Sequence, residues 1–372
     1  MARKKSKKSL IRFSVNRLII FIVLSIIFVS AFFIFKSDLD RLINGKDILT
    51  SVSELDHDGL MVHYIDVGQA DCIAIELPDN KKMLIDSGRI ESADQMVNYI
   101  NKNVFDEPNE EKVFDYVLLT HSDADHCGGM VRIFEEYQVN NVYRPQIYIS
   151  EADRLKDDYA STNGLIRGTK IYTNTINSMY AEPNCNVYFT VLDLMNSTQK
   201  ISTTDYEFIF YSPTKNYYKN DVNTYSPIFT LTYHEKVFMF TGDATTISEA
   251  EALKNNLPKV DVLKVGHHGS DTSSSEKFLN EILPTYSIIQ VGKGNKYGHP
   301  TQIVLNRLAY INSKVYRTDI NQNIIAVVST YGELSIFADV GNKIEVIYLL
   351  LGVELIAVYF CFFVSYTSKN KA

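Results

Sequence analysis

Four acid or imidazole side chains crowd into the six residues His121-Ser122-Asp123-Ala124-Asp125-His126, directly after the apolar run Tyr116-Val117-Leu118-Leu119. Imidazole nitrogen and carboxylate oxygen together suit zinc, manganese or iron, and a turn leaving a buried strand can aim alternate side chains into one cleft. A solvated acidic loop has no need of imidazoles at both ends. Further candidates recur in the same context: Gly242-Asp243 follows the run 236–241, and Gly266-His267-His268-Gly269-Ser270 follows the run 260–265. Several turns of this kind at strand ends read as parts of one metal site.

The elements that must position these turns show in the hydrophobic pattern. Strand-like runs cover 60–67, 72–77 and 82–85, with Pro78-Asp79-Asn80 as a hairpin turn. A helix is expected at 94–104, a buried strand at 114–120 and a helix at 129–137. Strands resume at 207–211, 228–233 and 236–241, the last two joined at His234-Glu235, which makes His234 an exposed hairpin residue and not a ligand. Helix and strand then alternate through 247–257, 260–265, 276–282, 286–291 and 302–311, and strands at 324–328 and 333–337 close the domain. Two successive sets of strands with interspersed helices define an α/β (α+β) chain and fit an αββα sandwich. The Tyr-rich stretch 144–204 matches no motif. It is expected as an insertion, either lying over the cleft and selecting substrate or making a surface excursion.

The ends differ from this domain. Residues 18–35 form an uncharged apolar run of membrane-spanning length behind a basic tail, 1–17, that holds Arg3, Lys4, Lys5, Lys7, Lys8, Arg12 and Arg17. A polar linker, 36–59, leads to the folded body at 60–342. A second expected span, 346–366, precedes a short tail, 367–372, with Lys369 and Lys371. Two spans with basic tails place both termini in the cytoplasm and everything between outside the plasma membrane. Glu354 near the middle of the second span is either a tolerated acid or a contact for a membrane-protein partner. The four cysteines, Cys72, Cys127, Cys185 and Cys361, show neither a zinc-knuckle spacing nor a disulfide framework. Cys127 is expected as a small buried residue behind the metal turn. Setting aside the seven basic groups of 1–17 and the two of 367–372 leaves 28 basic against 44 acidic residues, a balance of −16. Such a surface disfavours long polyanions unless its charge is unevenly placed.

The three blocks, with Asp66-Val67-Gly68-Gln69-Ala70-Asp71 before them and Tyr297-Gly298-His299-Pro300 after, resemble the metallo-β-lactamase superfamily. Within it they are similar to the extracellular hydrolase domain of the ComEC branch, which has Asp, here Asp123, where most relatives have the second His of HxHxDH. Ala70 and Cys72 depart from that branch's usual Gly and Ala, at positions away from the proposed ligands. The resemblance implies an αββα fold, two divalent metal ions, zinc or manganese, and a phosphodiester substrate, nucleic acid first.

Carried over residue by residue, His121 and Asp123 would hold the first metal, Asp125 and His126 the second, with Asp243 bridging. His267 would complete the second site, with its neighbour His268 as the alternative. The further His that many relatives provide has no match, and Asn223-Thr224-Tyr225-Ser226 stands roughly in its place. Asp125 would also orient the nucleophile. Ser270 would contact a phosphate oxygen or cap a helix, and His299 would contact phosphate, protonate the leaving oxygen, or serve the turn. Asp71 and Asp86 would orient the imidazoles from behind. Cell-wall phosphodiesters and a noncatalytic, metal-stabilised envelope subunit are the competing functions.

Overall fold

The computed structural model describes residues 59–105, 111–147, 169–196, 201, 203–215, 218 and 221–338. The expected spans 18–35 and 346–366 with Glu354, both tails, and all but the last residue of the 36–59 linker lie outside the described residues. Among the described residues no helix is long and apolar enough to cross a membrane.

The strands, in chain order, are β1 (Leu60–Tyr64), β2 (Ile73–Glu76), β3 (Lys82–Ile85), β4 (Val113–Phe114), β5 (Tyr116–Leu118), β6 (Gln138–Val139), β7 (Asn141–Arg144) and β8 (Asn186–Phe189), followed by β9 (Tyr206–Ser212), β10 (Ile228–Tyr233), β11 (Lys236–Phe240), β12 (Val262–Lys264), β13 (Tyr286–Ile289), β14 (Lys314–Arg317), β15 (Ile324–Val328) and β16 (Leu334–Ala338). An eight-stranded sheet runs β16-β15-β1-β2-β3-β5-β7-β8, a six-stranded sheet runs β14-β13-β12-β11-β10-β9, and β4 pairs with β6. The first sheet is antiparallel through β3 and parallel from β3 to β8. The second is parallel from β11 to β14, with β12 in register at Val262 opposite Phe238 and Tyr286, and antiparallel at β9 and β10.

The period of two along each strand sorts its side chains into layers. Leu60, Val62 and Tyr64 of β1 and Met83 and Ile85 of β3 pack with Phe229, Leu231, Phe238 and Phe240 of the second sheet. The intervening Ala74 of β2 and Leu84 of β3 face Met96, Ile100, Met130, Ile133 and Ile176 from helices on the outside. Met239, Leu263 and Ile289 face Phe278, Leu279, Val304 and Leu308 on the opposite outside. Three apolar layers between helix, sheet, sheet and helix make an αββα sandwich, the expected mixed α/β class. Hydroxyl caps start the outer helices: Thr245, Ser275 and Thr301 accept from Ile247 N, Phe278 N and Val304 N, satisfying amides that have no partner inside the helix.

Within the stretch 144–204, the described residues include elements of the sandwich itself. Arg144 ends β7, helix Lys170–Ala181 packs on helix Met130–Glu136, and β8 forms the edge of the larger sheet, parallel to β7. Thr175 Oγ1 donates to the Cys127 carbonyl at 3.0 Å. The helix buries Tyr172, Thr175, Ile176 and Met179. Hydroxyls on that face dilute the apolar period by which a helix shows in sequence.

Candidate metal centre

Parallel pairing gives β3 and β5 in one sheet, and β11, β12 and β13 in the other, carboxyl ends that point the same way within each sheet. Asp86 follows β3, Thr120 and His121 follow β5, Asp243 follows β11, Gly266 to His268 follow β12 and Gln290 follows β13. The candidate residues therefore meet at one edge of the sandwich, where strand ends of both sheets leave room for a ligand.

Each buried imidazole is held by Nδ1. His126 Nδ1 lies 2.7 Å from Asp86 Oδ2, which can only accept from it when ionised. Thr120 Oγ1 gives its single proton to the same Asp86 oxygen at 2.7 Å, so it stands as acceptor toward His121 Nδ1 at 3.1 Å. His268 Nδ1 donates to the Gln290 carbonyl at 2.8 Å, and Asp71 Oδ1 lies 3.2 Å away. In the neutral rings these bonds leave the lone pairs on Nε2. Nε2 of His121, His126 and His268 and Oδ1 of Asp243 are all buried and, among the described residues, have no hydrogen-bond partner. The three Nε2 atoms stand 4.0, 3.2 and 3.8 Å from the Asp243 carboxylate. A set of buried, orphaned donor atoms turned on one carboxylate fits divalent metal and would be costly otherwise.

Two groups of ligand atoms share Asp243: His121 with His126, and Asp71 with His268. This pairing differs from the carry-over, which separated His126 from His121. The rings of His121 and His126 are 4.1 Å apart, those of His126 and His268 5.4 Å. The structure also distinguishes the two adjacent histidines. His268 is buried with Nε2 in the cluster, whereas His267 is a quarter exposed, its Nδ1 3.0 Å from Thr272 Oγ1 and its Nε2 3.5 Å from Asp243 Oδ2. Both adopt left-handed backbone, His267 at φ 49° and His268 at φ 53°, and Asp86 does so at φ 57°. Strain of this kind in residues with side chains collects at functional sites. Gly242 is left-handed too, and a Cβ there would lie 2.8 Å from Thr120 Cβ, so the Asp243 turn needs glycine to sit on the His121 turn.

Charge follows the same layout. Burial raises the Asp243 carboxyl, but the His126 and His268 imidazoles outweigh it and hold the group well below the usual range. Burial opposes charge on His126 and His268; Asp243, with Asp86 for the first and Asp71 for the second, reverses that and raises both. Asp71 is raised by burial and lowered further by Lys264, then His268 and His126, to about 2. Lys264, itself buried, donates to Asp71 Oδ2 at 2.6 Å and to the Val265 carbonyl at 3.0 Å.

The remaining candidates lie at the rim. Asp123 stands at the start of the short helix Ala124–Cys127 without a side-chain cap bond and is half exposed; its Oδ2 lies 3.7 Å from His121 Nε2, and the nearby His121 imidazole lowers its pKa ahead of the opposing effect of burial. Asp125 Oδ2 pairs with Arg89 at 3.1 Å and lies 3.9 Å from His268 Nε2. His299 Nδ1 is buried without a partner among the described residues, and the ring stands 5.8 Å from that of His267. Burial, then His267 and His268, lowers its pKa. Ser270 does not cap a helix: Ser275 does, while Ser270 Oγ lies 3.0 Å from Thr272 Oγ1, which in turn meets His267. Ser226 Oγ reaches His121 Nδ1 at 3.3 Å and accepts from Asp243 N at 3.2 Å, so the 223–226 run orients ligands from behind. His234 is exposed at the β10–β11 turn, and Cys127 is buried in the outer core.

Thr120, Arg89, Lys264 and Gln290 were not singled out from sequence. Lys264 had a signal, a lone cation inside the apolar run Val262-Leu263-Lys264-Val265. Gln290 acts on His268 through its main-chain carbonyl, which no side-chain pattern marks.

Residues 65–194 match the family profile described as the metallo-beta-lactamase superfamily. This part of the chain is thus similar to the metallo-β-lactamase superfamily, and the described residues have the mixed α/β fold. Within that class it resembles the ComEC-type competence proteins. ComE operon protein 3 of Bacillus subtilis (strain 168) is 28% identical over 276 residues, 71% of this chain and 32% of that protein. Competence protein ComA of Neisseria gonorrhoeae is 38% identical over 120 residues, 32% of this chain and 17% of that protein. The chain spans about a third of the first relative's length and less of the second's. Among solved structures, the metallo-beta-lactamase fold protein YhfI from Bacillus subtilis aligns with 70% of this chain and 96% of its own, at 10% identity and a TM-score of 0.42.

Proposed function

We propose that the chain is a membrane-anchored hydrolase of phosphodiesters, facing outward, that uses two divalent ions, zinc or manganese, and takes nucleic acid as substrate. One observation carries the hydrolase reading: three buried imidazoles, each held by Nδ1, leave Nε2 free around Asp243. Relatives named for competence support nucleic acid. His121, His126, Asp123 and Asp243 would hold one ion, and His268, Asp125 and Asp243 the other. The chemistry such ions supply is Lewis acidity toward a phosphoryl oxygen and activation of water near neutral pH. Asp125, steadied by Arg89, would accept a proton from the attacking water. His299, with Nδ1 uncommitted and a lowered pKa, would carry a proton to the leaving oxygen and give it up readily.

Metal content and a substrate screen on the purified full-length chain test this reading. Two bound ions per chain, lost in Asp243→Asn together with cleavage of a single-stranded oligonucleotide, are the expected result. A chain that stays metal-free after reconstitution sinks it. The balance of −16 favours a second reading, a phosphodiesterase of cell-wall polymers. Cleavage of a glycerophosphate or choline-phosphate ester with DNA left intact would establish that one instead.

A further inference from the structure

We infer that the loop 292–299 is a grip for an unpaired nucleic-acid strand, with Tyr297 as a stacking platform and Lys293 and Lys296 as phosphate contacts. The inference rests on the phosphodiester reading of the adjacent centre and names how its substrate is held.

The loop is tied to itself through the Asn295 side chain and yet leaves Tyr297, Lys293 and Lys296 exposed. Asn295 pins it from the middle, its Nδ2 donating to the carbonyls of Gly292 at 3.1 Å and His299 at 2.6 Å, while its Oδ1 accepts from Tyr297 N at 3.1 Å and His299 N at 3.0 Å. Gly292 anchors the near end: its N donates to Gln69 Oε1 at 3.0 Å, and a Cβ there would lie 2.6 Å from Gln69 N. Tyr297 is half exposed, and Lys293 and Lys296 are exposed. The Tyr297 ring lies nearly parallel to His299, 5.9 Å between centroids and 18° between planes, and Lys296 Nζ sits 5.3 Å from the Tyr297 centroid.

The loop also leads to the centre. From Tyr297 the contacts run to His299, on to His267 at 5.8 Å, and from His267 Nε2 to Asp243 at 3.5 Å. Through Gln69, whose carbonyl accepts from Arg89 Nε at 3.1 Å, the near end of the loop adjoins the Arg89–Asp125 pair. In a chain whose body is strongly acidic, Lys296 lies against a half-exposed aromatic ring, Lys293 is exposed on the same loop, and the loop's near end adjoins Arg89 at the candidate metal centre. A held aromatic face with flanking cations suits a base with a free π-face and a phosphate on either side, which a duplex with stacked bases does not offer.

The test is binding of labelled oligo(dT) to the detergent-solubilised full-length chain in chelator, so that cleavage does not enter. Tyr297→Ala should weaken binding about tenfold and Tyr297→Phe, which keeps the ring face, should not. Lys293→Ala with Lys296→Ala should make the logarithmic salt dependence shallower by about 1.4. A duplex of equal length bound as tightly as oligo(dT), unchanged oligo(dT) binding by Tyr297→Ala, or poly(glycerol phosphate) bound in preference to oligo(dT) would each overturn the inference. A chain that binds oligo(dT) in this Tyr297-dependent way but cleaves no phosphodiester with metal restored would leave the grip standing and remove the proposed activity.

Discussion

The two sheets hold their imidazoles by different chemistry. On the first, one carboxylate and one hydroxyl serve two rings: Asp86 takes His126 directly and His121 through Thr120. On the second, a main-chain carbonyl and a buried ion pair that reaches across to the β1–β2 loop serve one ring, with Lys264 holding Asp71 beside His268 and Gln290 accepting from it. Both leave Nε2 free. The first arrangement depends on proton direction along a hydrogen-bond chain, the second on charge balance among buried groups. Substitutions that are mild in one should be severe in the other.

The largest effect belongs to the residue the two arms share. Asp243→Asn keeps the shape but removes the charge on which three Nε2 atoms converge, and metal content measured by atomic emission should fall to background. Asp86→Asn comes next and breaks only the first arm. Its amide would accept from Thr120 N through oxygen, as Oδ1 does now at 2.8 Å, and turn NH₂ toward the Thr120 hydroxyl and His126 Nδ1. Donor would face donor, the His126 proton would move to Nε2, and a ligand would become a blocked one. Metal affinity should drop by about 10- to 100-fold, read by competition with a chromogenic chelator, and an unchanged affinity would break the tautomer argument.

The matching change in the second arm is Lys264→Met. It leaves the Asp71 carboxylate buried without its cation, which costs about 3–5 kcal/mol of stability, measurable by urea unfolding. Lys264→Met combined with Asp71→Leu should regain much of that stability without regaining His268 orientation, because the buried charge goes but the oxygen beside Nδ1 goes with it. If the double change is no more stable than the single one, the ion pair is not what sets the cost.

Acid gives the same comparison without mutation. The Asp71 pKa lies near 2 in the fold against 3.8 in the free side chain, so its contribution is complete above 3.8 and is lost as pH falls toward 2. That contribution is roughly 2 kcal/mol. Acid unfolding of the metal-free chain should therefore lose its Asp71-dependent part between those values, and Asp71→Asn should flatten that limb.

Much of this geometry was legible in the residues. Period-two runs gave the layers, and acids and imidazoles placed after apolar strands gave the cluster, because parallel strands deliver their carboxyl ends to one edge. Elsewhere the signal was physically weak. Helix Lys170–Ala181 hides its buried face behind Tyr172 and Thr175, and β8 is a short edge strand with no fully buried residue. Lys264 sits in a strand that hydropathy alone would call apolar. His267 and His268 are identical in type and adjacent, and only a left-handed turn, with the Gln290 carbonyl on the far side, decides which one is turned inward.

That last pair carries the smallest and most discriminating test. His268→Ala removes a buried ring with a free Nε2 and should empty one of the two proposed ion positions. His267→Ala removes a partly exposed ring whose Nδ1 is tied to Thr272 and whose Nε2 is 3.5 Å from Asp243 Oδ2. Metal stoichiometry in His267→Ala should stay at the unmodified level, while turnover falls, since the ring bridges the cluster and His299. Thr272→Val should reproduce that fall in part, because it releases the His267 ring without deleting it. Were His267→Ala to lose an ion and His268→Ala to keep both, the inward ring would be the other one, and the role of the Gln290 carbonyl would have to be given up with it.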